Sequence, residues 1–372
     1  MNDLSSAVEL LQALIRIPSV NPAGNPGTDG INEERCASYV ASFLEGAGAT
    51  AEIREVLPHR PNVIGRFPTD RPGKPRILFA PHTDTVSVAG MTIDPFGGEL
   101  RDGKIWGRGA SDTKGSMAAM LWALAEAHER IPQLSHEIWF AGLAGEEAGQ
   151  HGAHALAAQE HFDFVIAGEP TMMNVVYTHK GCTNLKLTTR GSAVHASNPD
   201  GGDNAVYKMA EVIRLIRHKL APELRRFTHP VLGSSTISVG TINGGSKTNI
   251  VPDLCEATVD LRTVPSQNTT DFTDRLTERL RVACADLDVA AGHSPPLLTD
   301  PGHPLIRRLE SLGARLVGAP WFCDAAVFAR DGTPSIAMGP GSIAQAHTKD
   351  EWIKVEDLEA GVEFFGRFLR VL

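Results

Sequence analysis

Histidine and carboxylate side chains recur in this chain directly after short apolar runs. The apolar run 76–80 leads into His82 and Asp84, and the runs 137–143 and 163–168 lead into further acidic residues. The complete set is His82, Asp84, Asp112, Glu146, Glu147, Glu169 and His347. Zinc accepts histidine and carboxylate ligands in proteins, so residues of these types indicate a metal site.

Five of these seven side chains are carboxylates, and their charges would repel one another in a shared crevice. Bound cations would remove that repulsion, and a pair of metal ions about 3.5–4 Å apart is a recurrent arrangement in hydrolases. Zinc lowers the pKa of bound water to about 7, which makes hydroxide available near neutral pH. Each element alone is weak evidence, because a His-x-Asp or Glu-Glu pair is more often structural or solvated. Their common position after apolar runs favours metal-assisted hydrolysis.

The elements that would position these residues alternate between buried strands and helices. The apolar runs predict parallel strands of an α/β layer sandwich, and helical spacing over 116–130 predicts a helix between two of them. Ligand sites in open α/β sheets form outside the carboxyl ends of the strands, so we expect the candidates to meet at one edge. Further predictions are helices over 3–16, 32–47, 304–317 and 356–370, a strand over 335–339, and a loop or hairpin over 58–75.

The texture of the sequence changes after about residue 176, which predicts a second domain. Alternating apolar and polar positions indicate an antiparallel sheet backed by two helices. The predicted strands are 181–190, 235–242 and 254–263, and the predicted helices are 203–219 and 270–285. We therefore expect an α/β protein with a mixed-sheet catalytic domain over 1–177 and 292–372, and an inserted α+β domain over 178–291.

Composition limits the function classes. A chain of 372 residues is too long for one ordinary domain, and a net charge of −9 argues against nucleic acid as the partner. The sequence has neither a secretory signal pattern nor an apolar stretch of about 18 residues, so we expect a cytoplasmic protein that is not embedded in a membrane. Five cysteines without close pairs fit reduced thiols. No nucleotide cofactor is expected, because position 112 lacks the third glycine of a dinucleotide motif.

The motifs around the candidate residues resemble those of one family of zinc-dependent deacylases and peptidases. This family contains acetylornithine deacetylase, succinyl-diaminopimelate desuccinylase and carboxypeptidase G. The resemblance covers nearly the whole chain in order and is carried by segments 81–86 (PHTDTV), 107–115 (GRGASDTKG), 145–147 (GEE), 168–171 (GEPT) and 345–347 (QAH). It implies a zinc-hydrolase catalytic domain and an inserted domain that serves as a lid and forms a homodimer.

The resemblance also implies which residues bind each of two zinc ions. Asp112 would bridge the ions, with His82 and Glu169 on one ion and Glu147 and His347 on the other. Cobalt or manganese would be possible substitutes for zinc.

Two further acids receive roles from the resemblance. Asp84 would orient His82 as the carboxylate behind a metal-bound histidine. Glu146 would be the general base that takes a proton from the bridging water and delivers it to the leaving amine. The family also implies a cis peptide bond between Asp112 and Thr113.

Substrate contacts are less sharply indicated. His195, in the segment 191–197, resembles the lid histidine that reaches a neighbouring subunit and stabilises the oxyanion. Asn249 and Arg262 are candidates for binding the α-carboxylate of the substrate, and Gly341 is a further candidate contact. Arg262 could instead pair with a surface carboxylate, and Asn249 could be a turn residue.

The choice within the family is made on three local features. Glu169, where aminopeptidases have aspartate, favours a deacylase or carboxypeptidase and disfavours a tripeptidase. The segments 339–347 with 350–351, and 321–326, look most like the acetylornithine deacetylase branch of amino-acid biosynthesis. We therefore expect hydrolysis of an N-acylated amino acid. A succinyl-diaminopimelate desuccinylase, a dipeptidase and a carboxypeptidase remain alternatives, as does a non-catalytic binding protein, although that class predicts a missing ligand or base.

Overall fold

The computed structural model describes residues 4–23, 31–267, 272–330 and 332–372. In these ranges it is a mixed α/β structure, which confirms the predicted fold class. The strands are β1 (Thr50–Leu57), β2 (Arg60–Arg66), β3 (Arg76–Pro81), β4 (Glu99–Arg101), β5 (Lys104–Trp106), β6 (Glu137–Gly142), β7 (Phe164–Gly168), β8 (Val175–His179), β9 (Gly181–Arg190), β10 (Thr228–His229), β11 (Gly233–Ser234), β12 (Thr236–Gly244), β13 (Leu254–Thr263), β14 (Asp288–Ser294), β15 (Leu297–Leu298), β16 (Leu316–Ala319), β17 (Ser335–Ala337) and β18 (Trp352–Lys354). The helices are α1 (Ala7–Ile15), α2 (Glu34–Gly46), α3 (Lys114–Ala127), α4 (His151–Gln159), α5 (Ala205–Leu215), α6 (Ala221–Leu224), α7 (Phe272–Arg281), α8 (Pro304–Ser311), α9 (Ala325–Arg330) and α10 (Val355–Arg370).

The chain divides into two compact units. The first consists of Met1–Tyr177, Leu298–Val317 and Cys323–Leu372, and the second of Thr178–Leu297 and Gly318–Phe322. The second unit extends beyond the expected end at residue 291, because β14 continues to Ser294 and pairs with β9 as the edge strand of its sheet.

The main sheet of the first unit is mixed. Its strand order is β1-β2-β6-β3-β7-β17-β8-β15, with β16 paired to β8. The central strands β6, β3, β7 and β17 run parallel to one another. The strand β2 pairs antiparallel with β6, and β1 in turn pairs antiparallel with β2. The carboxyl ends of the parallel strands therefore lie along one edge.

Each central strand is apolar on both faces because both faces are covered. Along β3, Ile77 and Phe79 join the core formed with α1, α3 and α10, whereas Leu78 and Ala80 join the core with α4 and α9. The ring of Phe79 meets Phe365 of α10 edge-on, with 5.9 Å between ring centres. These two cores explain why the sequence shows continuous apolar runs here and no alternation.

The second unit contains a four-stranded antiparallel sheet in the order β12-β13-β9-β14. Apolar residues from one face of its strands, such as Leu187 and Leu261, share a core with Met209 of α5 and Leu280 of α7. The predicted strands 181–190 and 254–263 are observed with those bounds. The predicted helix 203–219 begins at Ala205, where the Asn204 side chain accepts the N–H groups of Val206 and Tyr207 and so caps α5.

Several predicted elements were wrong or incomplete. The helix expected over 304–317 ends at Ser311, because Gly313 adopts a positive φ of 107° and β16 follows. The loop or hairpin expected over 58–75 contains β2, and its partner β1 was not predicted, since β1 is a half-exposed strand with three charged residues. The strand β14 was also missed. Positions 3, 270 and 271 of two predicted helices lie outside the described residues.

The described helices include none that is both long enough and apolar enough to span a bilayer. All five cysteines are buried free thiols, as the sequence predicts.

Candidate metal centre

The predicted residues emerge from neighbouring parallel strands at one edge of the main sheet. His82 follows β3 and Glu169 follows β7, and the two strands pair as far as Pro81 and Gly168, so the next residues start at the same level. On the other side of β3, Thr83 donates its N–H to the carbonyl of Leu143, just beyond β6. The loop after β6 carries the two adjacent glutamates. The strand register alone thus gathers residues from three separate segments.

Two groups of donor atoms result, and they share one carboxylate. His82, Asp112 and Glu169 each offer an atom within 4.8 Å of the others, and so do Asp112, Glu147 and His347. Asp112 Oδ1 lies 3.2 Å from His82 Nε2, whereas its Oδ2 lies 3.4 Å from His347 Nε2. Because the two carboxylate oxygens face different histidines, Asp112 has the geometry of a bridging ligand.

The two groups differ in their exposure to solvent. The first group is buried throughout, with His82 at 2% and Glu169 at 5% exposure. In the second, the side chain of His347 is 56% exposed, and its Nε2 lies 3.0 Å from Glu147 Oε2. The second group is therefore the side from which a small molecule can approach.

Asp84 holds the loop after β6 in place. Its buried carboxylate accepts the N–H groups of Gly145, Glu146 and Glu147 at 3.1 Å each, and the Asn21 amide at 2.7 Å. Its Oδ1 also lies 3.4 Å from His82 Nδ1, while its backbone carbonyl lies 2.9 Å from the same nitrogen. With Nδ1 engaged here, Nε2 is left to face Asp112.

The electrostatics of the site are those of crowded acids around two imidazoles. Burial raises the pKa of Glu146 and Glu169 well above its ordinary value, and the neighbouring acids add to the rise. Burial opposes ionisation of Asp112 too, but hydrogen bonds from His347 and His82 lower its pKa overall. Hydrogen bonds to Asp112 and Glu147 raise the pKa of His347 to about 10. The raised pKa values show that the centre favours added positive charge, and the lowered pKa of Asp112 shows that this carboxylate faces the two imidazoles.

The donor set fits divalent cations. Imidazole nitrogens and carboxylate oxygens are the ligands of zinc sites in hydrolases. Among the described residues, Glu147 Oε1 is buried and lacks a hydrogen-bond partner. An unpaired buried oxygen is costly, and a cation would satisfy it.

The loop that carries Asp112 has the conformation implied by the resemblance. The peptide bond between Asp112 and Thr113 is cis, and the Thr113 hydroxyl donates to the carbonyl of Gly168, next to Glu169. Gly109 is required here, because its φ is +81° and a Cβ would lie 2.9 Å from Thr85 Cγ2. Gly341, a predicted substrate contact, packs against this loop, since a Cβ there would lie 2.9 Å from Ser111 Oγ.

The remaining predicted residues lie in the second unit. His195 is exposed and its segment pairs with that of Asn249, whose carbonyl accepts the N–H of Ala196 at 3.0 Å. Arg262 lies on β13 and pairs with Asp260 two residues away, with Nη2 3.0 Å from Oδ2. Residues i and i+2 of a strand share a face, so this pairing matches the alternative interpretation of Arg262.

Sequence reasoning assigned no role to two buried acids near the site. Asp324 accepts a hydrogen bond from Gln150 at 3.2 Å, and burial raises its pKa to about 7. Glu351 binds the loop that carries Asp112. Both lie in segments that support the resemblance, so their position near the ligands was available as a signal, but their contacts are with residues far away in sequence.

Comparison with known proteins identifies the family. The sequence profile described as Peptidase family M20/M25/M40 matches residues 78–371. This chain belongs to that family. Acetylornithine deacetylase from Proteus mirabilis (strain HI4320) is 32% identical to this M20 family member over 381 residues, which cover 98% of this chain and 96% of the relative. The resemblance inferred from the motifs is thereby confirmed, and the chain is a metal-dependent hydrolase.

Solved structures show the same fold. The M20 family metallo-carboxypeptidase Sso-CP2 from Sulfolobus solfataricus superposes with a TM-score of 0.82 at 19% identity, covering 99% of both chains. A dinuclear metal binding peptidase of the M20 family from Bacillus subtilis has a TM-score of 0.66 at 15% identity, covering 98% of this chain and 97% of its own.

We predict that Asp84→Asn lowers the free energy of unfolding of the metal-free protein by about 1–3 kcal/mol at neutral pH, because an amide nitrogen would face backbone donors. The folded-state pKa of Asp84 lies below its ordinary value of 3.8, since hydrogen bonds outweigh burial. The ionised carboxylate therefore contributes its full stabilisation above about pH 4. That contribution is lost as the pH falls through the folded-state pKa, so the difference between variant and parent should shrink there.

Urea denaturation from pH 7 to pH 3 measures this difference. Asp163→Asn is the matched control, because Asp163 accepts one N–H, from Arg76, at the opposite end of β3 and is exposed. A difference that stays constant down to pH 3 would contradict the assigned role of the Asp84 carboxylate.

Proposed function

We propose that this M20 family member removes an acyl group from the amine of an N-acylated amino acid. The favoured acyl group is acetyl, as in N-acetylornithine. The observation that carries this proposal is the pair of ligand groups that share Asp112 beside the buried Glu146. The choice of acyl amino acid is supported by the 32% identity to acetylornithine deacetylase over nearly the full length.

Two zinc ions would be held by the five ligands. His82 and Glu169 would bind one ion and Glu147 and His347 the other, with Asp112 between them. When bound, the ions would lower the pKa of a water molecule and polarise the amide carbonyl of the substrate. Cobalt or manganese would suit the same ligands.

Glu146 is the proposed general base. It is 7% exposed, and its loop is fixed by the hydrogen bonds to Asp84. Its raised pKa suits an acid that must both take and release a proton near neutral pH. Glu146 takes one proton from water as the oxygen adds to the amide carbon. It then gives that proton to the nitrogen as the C–N bond breaks, which yields a carboxylic acid and an amine. The acid loses the second proton of the water at neutral pH and the amine gains one, so the final products are a carboxylate and an ammonium group.

The second unit would complete the enzyme. We propose that the protein forms a cytoplasmic homodimer through this unit. His195 would then act at the active site of the neighbouring subunit and donate a hydrogen bond to the oxyanion of the tetrahedral intermediate. Asn249, Arg262 and Gly341 would contact the substrate. Arg262 would then have to divide its guanidinium between Asp260 and the substrate carboxylate, or exchange one for the other.

A substrate panel on zinc-loaded protein tests the proposed specificity. N-acetylornithine should give the highest kcat/KM, at least about tenfold above N-succinyl-diaminopimelate and simple dipeptides, because pocket contacts are worth about 1–3 kcal/mol. Chromatographic detection of the released amine measures each rate. A dipeptide or a succinylated substrate that is cleaved fastest would replace the proposed specificity but keep the chemistry. If none of these substrates is cleaved, the proposed hydrolysis of N-acylated amino acids is rejected.

We predict that Glu146→Gln lowers kcat by about 10²–10⁴-fold, because it removes the proton acceptor. The metal content should stay near two ions per chain, since Glu146 belongs to neither ligand group. Glu129→Gln, at an exposed acid after α3, is the matched control and should keep full activity. Activity within a few-fold of the parent in Glu146→Gln would remove this residue from the mechanism.

We predict that His195→Ala lowers kcat by about 10²–10³-fold without change in thermal stability, since the side chain is exposed and a lost oxyanion donor costs about 2.7–4 kcal/mol. His218→Ala, at another exposed histidine of the second unit, serves as control. Sedimentation velocity should show a dimer for all three proteins. A fully active monomer would contradict the role of His195 at a neighbouring subunit.

A further inference from the structure

One buried acid of the first unit binds the loop of the bridging ligand without being a ligand candidate itself. Glu351 lies directly before β18 and is 0% exposed. Its Oε1 accepts the backbone N–H groups of Ser111 at 2.7 Å and Asp112 at 2.8 Å. Its Oε2 accepts the N–H of Gly109 at 3.0 Å and Arg108 Nη1 at 2.9 Å.

These four hydrogen bonds fix the backbone on the N-terminal side of the cis peptide. All four donors belong to residues 108–112, and one of them is the amide of Asp112 itself. A buried N–H group that loses its acceptor costs the full desolvation of that group. The loop therefore has one arrangement that satisfies its donors, and Glu351 defines it.

Arg108 and Glu351 also connect the Asp112 loop to the segment that carries His347. Arg108 also donates Nη2 to the carbonyl of Thr348 at 3.1 Å, and the backbone carbonyl of Glu351 accepts the N–H of Gly107 at 3.0 Å. Thr348 is the neighbour of His347 in the chain. His347 itself has a positive φ of 59° and an exposed side chain, so packing does little to hold it.

The ligands of the buried group are held in a different way. His82 and Glu169 follow directly on the paired strands β3 and β7 and are almost fully buried. Neither depends on Glu351 for its position. Loss of Glu351 therefore acts on one ligand of the buried group, Asp112, but on two ligands of the exposed group, Asp112 and His347.

We propose that Glu351, with Arg108, is a positioning residue of the metal centre that sets the affinity for the ion held by Asp112, Glu147 and His347. This inference rests on the proposed function, because it presupposes two bound cations. Partners that orient metal ligands typically account for 10–100-fold in metal affinity, and Glu351 contacts the loop of one ligand and, through Arg108, the segment of another.

Glu351→Gln tests the proposal. Glutamine keeps one acceptor oxygen, but its NH₂ group would face either the N–H of Gly109 with Arg108 or the N–H groups of Ser111 and Asp112. Full-length metal-free protein is titrated with Zn²⁺ by calorimetry and with Co²⁺ by absorption, which give two stepwise dissociation constants. We call the ion at His82, Asp112 and Glu169 the first ion and the ion at Asp112, Glu147 and His347 the second ion. We expect the dissociation constant of the second ion to rise about 10-fold or more, and that of the first ion to rise by clearly less.

Asp350→Asn is the matched control. Asp350 is the adjacent acid and accepts the N–H groups of Thr92 at 2.8 Å and Ile93 at 3.3 Å, but it does not belong to the Asp112 loop contacts. Both constants should stay at parental values in this variant. Arg108→Lys is a second test should Glu351→Gln fail to fold, because lysine can pair with Glu351 while losing the bridge to Thr348. It too should weaken the second ion selectively.

The outcomes separate the two proposals. A parent protein that fails to bind two ions refutes the proposed function. A parent that binds two ions, with unchanged constants in Glu351→Gln or in Arg108→Lys, refutes the positioning role alone. Equal weakening of both ions also refutes it, since a general loss of the loop would not distinguish the two groups. Circular dichroism of each metal-free variant verifies that the fold is intact.

Discussion

The structure depends on buried carboxylates that are supplied with donors by the backbone. Asp84 accepts three consecutive N–H groups of the loop after β6, and Glu351 accepts three N–H groups of the loop before α3. Such charges are too costly to bury unless they are hydrogen-bonded. Each therefore compels its loop to adopt the one conformation that satisfies it, and those two loops present Glu146, Glu147 and Asp112. Asp84 and Glu351, which belong to neither ligand group, thus hold the loops that carry Glu146, Glu147 and Asp112.

The parallel strands supply the other half of the arrangement. A strand that is buried on both faces cannot shift by one residue without exchanging its two apolar faces between two different cores, so the register of β3 with β6 and β7 is firmly set. The positions of His82 and Glu169 are fixed by this register, because each residue directly follows the last paired residue of its strand. His347 follows no such strand, and its position relies on hydrogen bonds between distant segments.

The sequence predicts those parts of the site that depend on local pattern. Apolar runs followed by polar residues made His82, Glu147 and Glu169 candidates at strand ends, and Asp112 and His347 were candidates from their positions as well. The family resemblance then divided these ligands between two ions. Strands with weak patterns were not predicted. They include β1, which is half-exposed and charged, and β14, which is mostly exposed. The contacts of Glu351 also escaped, because its partners lie about 240 residues away and no periodicity encodes such a pairing. The pairing of Arg262 with Asp260 was accessible, since alternate residues of a strand share a face.

Two acids of the centre differ in the direction of their pKa shift, which suits the different roles proposed for them. Asp112 and Glu146 are both buried, and burial by itself would raise the pKa of each. Asp112 faces two imidazoles, which lower its pKa, so it is an anion able to hold cations on both oxygens. For Glu146 the acids Glu169, Asp324 and Glu147 reinforce burial, so it accepts a proton readily. Opposite shifts in neighbouring acids are the usual sign of divided roles in catalysis.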